Sequence, residues 1–434
     1  MQLVRQQSRK QQFNTVPPSR WHIPAKFRAG ASPYLTILTL IIVLLVLLPV
    51  AYLLLRSIGA GQESIDYLLK PRTLSIISNS IVLVFAVTIS ATVIGVPFAW
   101  FTTRTDIPFR RMWLILGLLP MVVPSYLAAV TYLAAFGEKG MLQQLLEPLI
   151  GTTSLPDIKG FFGAWLAITL FTYPYILLPV RAALLNADPA LEEAGQSMGL
   201  NRWQIFRRIT LPQLRPALAG GMLLISLYTL SDFGAVAVMR YNAFTRAIEQ
   251  QVSSFRMERA AVLALVLVAF TLILLIMERV IASNKQNYRA GTGVKRDFKI
   301  TRLGIWRIPA ILFCSIPVFI GVIVPVMVLF SWVVNKSQVA NVPPADINAL
   351  LVNTGSVSLI AAFIIALLAI APALLATRST SRRNRWLVGL TYTGNILPGI
   401  VIALALVYFS SKYMIDIYQT LPLLILGYAT RFLP

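Results

Sequence analysis

Long, continuously apolar stretches recur along this chain, and short polar segments separate them. Most are about 17–25 residues long, the length that an α-helix needs to cross the ~30 Å hydrocarbon core of a bilayer. The pattern predicts ten membrane spans: 34–55, 76–101, 113–136, 161–180, 218–239, 260–280, 306–334, 351–376, 386–409 and a last one from 421 onward. Because these runs are continuously apolar rather than alternating, they favour helices over a β-barrel.

The basic residues of the polar segments predict an orientation. With the N-terminus in the cytoplasm, the inside segments carry 26 Lys and Arg and the outside segments carry 11. Such an asymmetry is what the positive-inside rule expects. The worst fit is the outside segment 240–259, which has four arginines. The sequence therefore predicts a multi-pass membrane protein with a cytoplasmic N-terminus.

Composition agrees with this assignment and narrows the chemistry. Of 434 residues, 57% are hydrophobic and 12% are charged, and the mean hydropathy is +0.73. A water-soluble domain has about 25% charged residues, so that class is excluded. The net charge of +22 could suggest nucleic acid, but the basic clusters are short and lie at span ends, so no nucleic-acid partner is expected. One cysteine (Cys314) and one histidine (His22) give no basis for a metal site, a cofactor site or catalytic residues.

An internal repeat relates the two halves of the chain. A shift of 274 residues aligns Asn79 with Asn353, Arg104 with Arg378, Arg111 with Arg385 and Pro124 with Pro398. A second match, of 173–179 with 428–434, needs a shift of 255. Any two hydrophobic hairpins look alike, but four matched non-apolar positions favour a true repeat. Six spans per unit preserve orientation, so the repeats are expected to be parallel rather than inverted.

The repeat predicts a domain organisation. Residues 1–32 are expected to form a cytoplasmic basic tail, and residues 33–281 a first repeat of six transmembrane helices with a cytoplasmic loop at 182–216. Residues 282–305 form a cytoplasmic linker, and residues 306–434 form a second, incomplete repeat of four transmembrane helices. About a hundred residues would complete the symmetry, so we expect either a truncated chain or a naturally short product.

The cytoplasmic loop 182–216 predicts two short helices. Asp188 is a good N-cap, Pro189 a good first helical residue and Gly199 a natural stop. One apolar face is formed by Leu191, Ala194, Gly195 and Met198, whose spacing is i, i+3, i+4 and i+7. A second short helix can begin at Asn201. From the residues alone, this hairpin is either a surface for a partner or a helical pair resting on the membrane.

A resemblance favours the partner surface. Glu193-Ala-Gly, then Gly199, then Ile209-Thr-Leu-Pro212 resembles the EAA loop of bacterial ABC importer permeases, with Gly195 where that family usually has Ala. The resemblance implies a protein of the bacterial inner membrane with a type I importer fold, whose coupling loop contacts a dimer of ATP-binding subunits. The coupling residues that it implies are Glu192, Glu193, Ala194, Gly195, Gly199, Ile209, Leu211 and Pro212. The chain has no G-x-x-x-x-G-K-[ST], so ATP hydrolysis is expected on that separate subunit.

A fused pair of six-span units is similar to the ferric-iron branch of the ABC importer permeases. The segment 231–248 resembles a part of those iron permeases. The resemblance implies an importer of ferric iron that is delivered by a periplasmic binding protein. Thiamine and polyamine permeases share the architecture and remain alternatives. An ion-coupled secondary transporter and a non-transporting scaffold are further alternatives, although the former predicts more intramembrane carboxylates.

Asp232 is an ionisable residue inside or close to a predicted span. Such a residue is costly to place in a bilayer and is by default a functional hypothesis. We therefore expect Ser231 and Asp232 to line a translocation path. The alternative is that Asp232 makes a structural hydrogen bond to a neighbouring helix or lies close enough to the surface to be solvated.

Overall fold

The computed structural model describes residues 33–59, 66–138, 140–151, 156–282, 300–334, 346–379 and 381–433. Within these ranges the backbone is almost entirely helical, and the β pairing there is a single parallel bridge between Thr105 and Thr301. The all-α fold predicted from the apolar runs is confirmed. The predicted tail 1–32 and residues 283–299 of the predicted linker lie outside the described residues.

The first half of the chain folds as a series of helices that proline often begins. They are α1 Pro33–Gly59, α2 Pro71–Arg104, α3 Arg110–Leu118, α4 Ser125–Phe136, α5 Met141–Ile150, α6 Phe161–Thr172, α7 Pro174–Asn186, α8 Pro189–Ser197, α9 Arg202–Ile205, α10 Leu211–Ser231, α11 Gly234–Val238, α12 Phe244–Ser253 and α13 Met257–Ala282. A 3-10 turn, Leu119–Val122, follows α3, and a π turn, Phe206–Thr210, joins α9 to α10. Proline opens α2, α7 and α8, where its missing N–H breaks no helical hydrogen bond.

The second half repeats long and broken helices in a similar order. They are α14 Arg307–Val318, α15 Val324–Val334, α16 Ile347–Arg378, α17 Arg382–Thr391, α18 Thr393–Ile396, α19 Gly399–Tyr413 and α20 Leu421–Phe432. A π turn, Phe319–Ile323, joins α14 to α15, and 3-10 turns lie at Gly304–Trp306 and Ile415–Ile417.

Seven helical segments of the described residues are long and apolar enough to cross a membrane. They are α1, α2, the pair α6–α7, the run α9–α10, α13, the run α14–α15 and α16. The segments Arg110–Val122 and Ser125–Pro148, which include α3 and α4, give an eighth candidate bent by 98°, and α19 and α20 are apolar but shorter. The ten predicted apolar segments are thus all helical, but three of them are not long straight crossings.

Two of the predicted spans are also interrupted. The predicted span 218–239 ends at Ser231, and the chain resumes helical structure only at Gly234. The predicted span 386–409 breaks at Leu397 and Pro398, both of which are extended. The break follows from sequence, because the residue before a proline is disfavoured in the helical region.

The 274-residue shift found in the sequence also relates the helix ends. Pro33, which begins α1, and Arg307, which begins α14, are 274 residues apart, as are the last residues of α2 and α16. Pro124 precedes α4 with φ −59° and ψ 140°, and Pro398 precedes α19 with φ −57° and ψ 141°. The two halves therefore share local backbone geometry as well as residue types.

The first span of each half packs against the other half. Helix α1 lies on α13 of its own half and on α16, α17 and α19 of the other, whereas α14 lies on α2 and α3, and α15 lies on α4. The centre of the first half is formed by α2, α7 and α10. Gly95 and Gly221 both lie so close to Ile176 of α7 that a Cβ would come within 2.9 Å of it. Small residues thus permit the close helix contacts that stabilise membrane bundles.

Candidate coupling surface and buried aspartate

The loop between α7 and α10 is held by local hydrogen bonds that its sequence encodes. The Asp188 carboxylate accepts from the Ala190 N–H at 3.0 Å and caps α8. Gly199 ends the helix with φ +80°, a left-handed conformation that glycine adopts without strain. Before α9, the backbone N–H groups of Asn201 and Gln204 each donate to the other's side-chain oxygen, at 2.9 and 2.8 Å. This reciprocal capping sets the second helix where the sequence predicts it.

Gly195 is the buried member of the predicted apolar face. A Cβ on Gly195 would lie 2.6 Å from the Cδ1 atom of Ile209 in the π turn, so α8 lies directly on that turn. Ile209, Leu211 and Pro212 are half-buried. Of the coupling residues implied by the resemblance, these four are therefore at least partly covered by protein, and Gly195 and Ile209 pack on each other.

Three of the other four implied residues are exposed. Glu193, Ala194 and Gly199 are exposed, and only Glu192 among the implied acidic residues is half-buried. Large apolar side chains accompany them: Leu191 is 51% exposed, Met198 72% and Trp203 67%. Trp203 stacks on Phe206, with ring centroids 5.7 Å apart. Because exposed apolar groups rimmed by charge mark interaction sites, this loop has the character of a docking surface.

Glu192 connects the loop to the ends of two membrane helices. Its Oε1 atom accepts from the Thr210 hydroxyl at 3.2 Å and lies 3.7 Å from Nη2 of Arg104. The same Nη2 donates to the Leu184 carbonyl of α7 at 2.9 Å. Arg104 is the last residue of α2, and its side chain is only 7% exposed. The sequence indicates Arg104 as a match in the repeat. It does not reveal the contact with Glu192, because the two residues are 88 positions apart in the chain.

Asp232 lies in the break between α10 and α11 and is 6% exposed. Its Oδ2 atom accepts from the hydroxyl of Ser125, the first residue of α4, and its Oδ1 atom accepts from the Ala235 N–H at 2.9 Å. Its backbone carbonyl accepts from the Thr245 hydroxyl at 2.6 Å. The aspartate thus joins three helices, as expected if it makes a structural hydrogen bond to a neighbouring helix. Ser125 is a partner that the sequence did not reveal.

The surroundings of Asp232 are aromatic and tightly packed. The Tyr228 hydroxyl lies beside Asp232, and its ring packs on Phe171 at 5.0 Å between centroids. A Cβ on Gly234 would lie 2.8 Å from Cβ of Tyr126, so α11 approaches α4 as closely as backbone allows. Ser231 is half-buried and donates to the Tyr228 carbonyl at 3.0 Å. The two predicted path residues are therefore neighbours, but each is engaged in protein hydrogen bonds.

The residues that the structure describes contain no group of three or more His, Cys, Asp or Glu side chains placed to hold a metal ion. Cys314 is fully buried in α14, beside aromatic and aliphatic side chains of the core.

Comparisons with known proteins assign the family. Residues 91–286, which include the whole loop and Asp232, match the family described as the binding-protein-dependent transport system inner membrane component. An Fe(3+)-transport system permease protein, FbpB 2, of Haemophilus influenzae is 30% identical over 406 residues, which are 92% of this chain and 76% of that relative. The chain belongs to this family of ABC importer permeases.

Two further relatives show the breadth of the family. The ferric transport system permease protein FbpB of Actinobacillus pleuropneumoniae is 28% identical over 53% of this chain and 36% of its own length. The sulfate transport system permease protein CysT of Salmonella typhimurium is 28% identical over 54% of this chain and 86% of its own length. The assignment to an ABC importer permease with ferric permeases among its relatives is therefore confirmed, and with it a multi-pass protein of the inner membrane.

Proposed function

We propose that this permease is the membrane subunit of an ATP-driven importer, and that a dimer of separate ATP-binding subunits docks on its loop 182–216. The observation that carries the proposal is that some implied coupling residues of this loop are held by protein contacts while others are exposed. Gly195 packs on Ile209 within the loop and Glu192 pairs with Arg104 at the end of α2, whereas Glu193, Ala194 and Met198 are exposed. A rigid, outward-facing helix with exposed apolar and acidic groups is suited to transmit movement from a docked partner.

The solute that we propose is ferric iron, delivered by a periplasmic binding protein. The support is that a relative named as an Fe(3+)-transport permease matches 92% of this chain, and one named as a ferric transport permease matches 53% of it. Relatives named for sulfate transport match over about half of it. Iron is therefore the first solute to test, and sulfate, thiamine and polyamines are the comparison solutes.

For the orientation we propose a cytoplasmic N-terminus. The loop 182–216 then faces the compartment that contains ATP, and the larger count of basic residues lies on that side. Movement of the docked loop would switch the membrane helices between inward-open and outward-open states. In this scheme Ser231 and Asp232 lie along the path, where the helix break between α10 and α11 brings polar groups into the bundle.

The test is ATP-dependent uptake into proteoliposomes that contain the permease, its ATP-binding subunit and its binding protein. Glu193→Arg reverses an exposed charge on α8. We expect Glu193→Arg to insert normally but to lower iron uptake about tenfold, equivalent to ~1.4 kcal/mol of docking energy. Glu147→Arg, an equal charge reversal at an exposed position on α5 and outside the loop, should leave uptake unchanged. Normal uptake and normal association with the ATPase in Glu193→Arg would contradict the proposal, and uptake without ATP would favour an ion-coupled carrier.

A further inference from the structure

Residues 104–106, at the end of α2 and just after it, contact two different segments of the chain. Arg104 reaches the loop 182–216 through Glu192, as described above. Thr105 and Asp106, directly after it, contact the segment that enters the second half of the chain. The Thr301 N–H donates to the Arg104 carbonyl at 2.9 Å, and the Asp106 N–H donates to the Thr301 carbonyl at 3.2 Å. We call residues 104–106 the junction turn.

The Asp106 side chain strengthens the junction turn. Its Oδ1 atom accepts from the Leu303 N–H at 2.8 Å, and its Oδ2 atom accepts from Nη2 of Arg307 at 2.5 Å. These hydrogen bonds hold the pKa of the Asp106 carboxyl below its usual range, so it is charged at neutral pH. Arg307 is the first residue of α14, the helix that begins the second half. A charge-assisted pair therefore fixes the start of that helix to the end of α2.

Packing extends the connection beyond the hydrogen bonds. Phe101 of α2 and Phe313 of α14 contact edge to face, with centroids 5.8 Å apart. Leu303 packs against the core of the first half, and α14 continues along α2 and α3. The loop 182–216, the end of α2 and the beginning of the second half are thus joined through consecutive residues.

We infer that Asp106 and Arg307 are positioning residues, which make the loop 182–216 and the beginning of α14 move as one body. The inference rests on the proposed function for its purpose, since a moving loop requires a docked ATPase. Rigid elements joined by a contiguous network are what can carry such coupling, but the coupling itself has to be measured. A force applied to one coupling loop would then reach both halves of the bundle directly.

The test is a distance measurement by electron spin resonance on the full chain. Spin labels are placed at Gln196→Cys on α8 and Ile308→Cys on α14, both exposed, in a Cys314→Ala background. Before any nucleotide is added, we expect a narrow distance distribution that broadens in Asp106→Asn/Arg307→Gln. Arg302→Gln is the matched control, because it removes an exposed arginine from the same segment. The charge reversal Asp106→Arg/Arg307→Asp should narrow the distribution only in part, because it restores the ion pair but not the acceptor of the Leu303 N–H.

When the ATP-binding subunit and nucleotide are added, the distance between the two spin labels should stay constant as long as Asp106 and Arg307 are both present. In Asp106→Asn/Arg307→Gln we expect it to shift, and solute moved per ATP hydrolysed should fall at least about fivefold, the lower end of typical coupling. Distributions that are identical with and without the Asp106–Arg307 pair would overturn the inference. So would a nucleotide-driven distance change with the pair intact. Failure of the ATPase to bind would refute the proposed function alone, because the nucleotide-free comparison still decides the inference.

Discussion

The guanidinium of Arg104 lies 3.7 Å from the carboxylate of Glu192, although one belongs to a membrane helix and the other to the loop beyond it. Arg104 is nearly buried and also bonds the Leu184 carbonyl, while Glu192 also accepts from Thr210. The pair therefore ties the orientation of α8 to the ends of α2 and α7. A loop fixed in this way can present its outer face to a partner without first having to be ordered.

Removing one member of the Arg104–Glu192 pair should loosen the loop. We expect Glu192→Gln to accelerate proteolysis within 182–216, because a nearly buried arginine loses its countercharge. Arg104→Gln should accelerate proteolysis similarly. In the double variant, the loss of loop stability should be smaller than the sum of the losses in the two single variants. The difference measures the coupling between them, which we expect to be about 1 kcal/mol for a pair that is partly accessible to water.

The matched control for that cycle is Glu193→Gln, which removes an acidic group one position further along α8. Glu193 is exposed and has no ion pair within the described residues, so its neutralisation should leave proteolysis of the loop unchanged. Strict additivity of Arg104→Gln and Glu192→Gln would show that the two side chains act independently, contrary to the geometry.

Gly195 should tolerate alanine but not a branched residue. The atom nearest to an added Cβ is the flexible end of the Ile209 side chain, which can rotate away. Gly195→Ala should therefore retain uptake and loop structure, in line with the alanine that the EAA loop usually has here. Gly195→Val should separate α8 from the π turn, with an overpacking penalty of about 1–3 kcal/mol. Thermal stability and uptake of both variants test this, and equal damage by both would show that glycine itself is required.

Much of the loop 182–216 is encoded locally, which is why its structure could be predicted from sequence. Asp188, Pro189 and Gly199 act through backbone groups only a few residues away, and the structure places each as expected. The direction in which Gly195 faces was not predictable, because its apolar neighbours on the helix are exposed whereas Gly195 is buried against Ile209. Periodicity identifies a face but not which of its members another segment will cover.

Long-range partners are the part that sequence reasoning missed. Ser125 and Asp232 are 107 residues apart, and Asp106 and Arg307 are 201 residues apart. Nothing in the local pattern marks them as neighbours, since their proximity follows from how the helices cross. The break at Asp232 was missed for a related reason. A hydropathy run shows an apolar stretch, whereas the break depends on the aspartate capping the next helical turn at Ala235.

Asp232 allows a clear separation between structural and transport roles. Asparagine can still accept from the Ala235 N–H and can donate to the Ser125 hydroxyl, so Asp232→Asn should fold and insert normally. Alanine leaves both groups unpaired, which should destabilise the protein by about 1–3 kcal/mol. If Asp232 serves the translocation path, Asp232→Asn should also lower iron uptake about tenfold, equivalent to ~1.4 kcal/mol.

The control for the charge of Asp232 is Asp157→Asn, since Asp157 is exposed and outside the helices. It should leave both stability and uptake unchanged. Normal uptake by Asp232→Asn, together with a lower melting temperature for Asp232→Ala, would assign the aspartate to helix packing alone.

The segment 240–259 is the best place to test the proposed orientation, because it has four arginines although it is predicted to face outward. We expect a cysteine at Ser253, exposed at the end of α12, to react with a membrane-impermeant maleimide in intact cells from which the outer membrane has been removed. A cysteine at Met198 should react only after the inner membrane is opened. Both variants carry Cys314→Ala to remove the one native thiol. Because α10 crosses the bundle between these two sites, the labels should never react from the same side, and an exchange of their accessibilities would reverse the proposed topology.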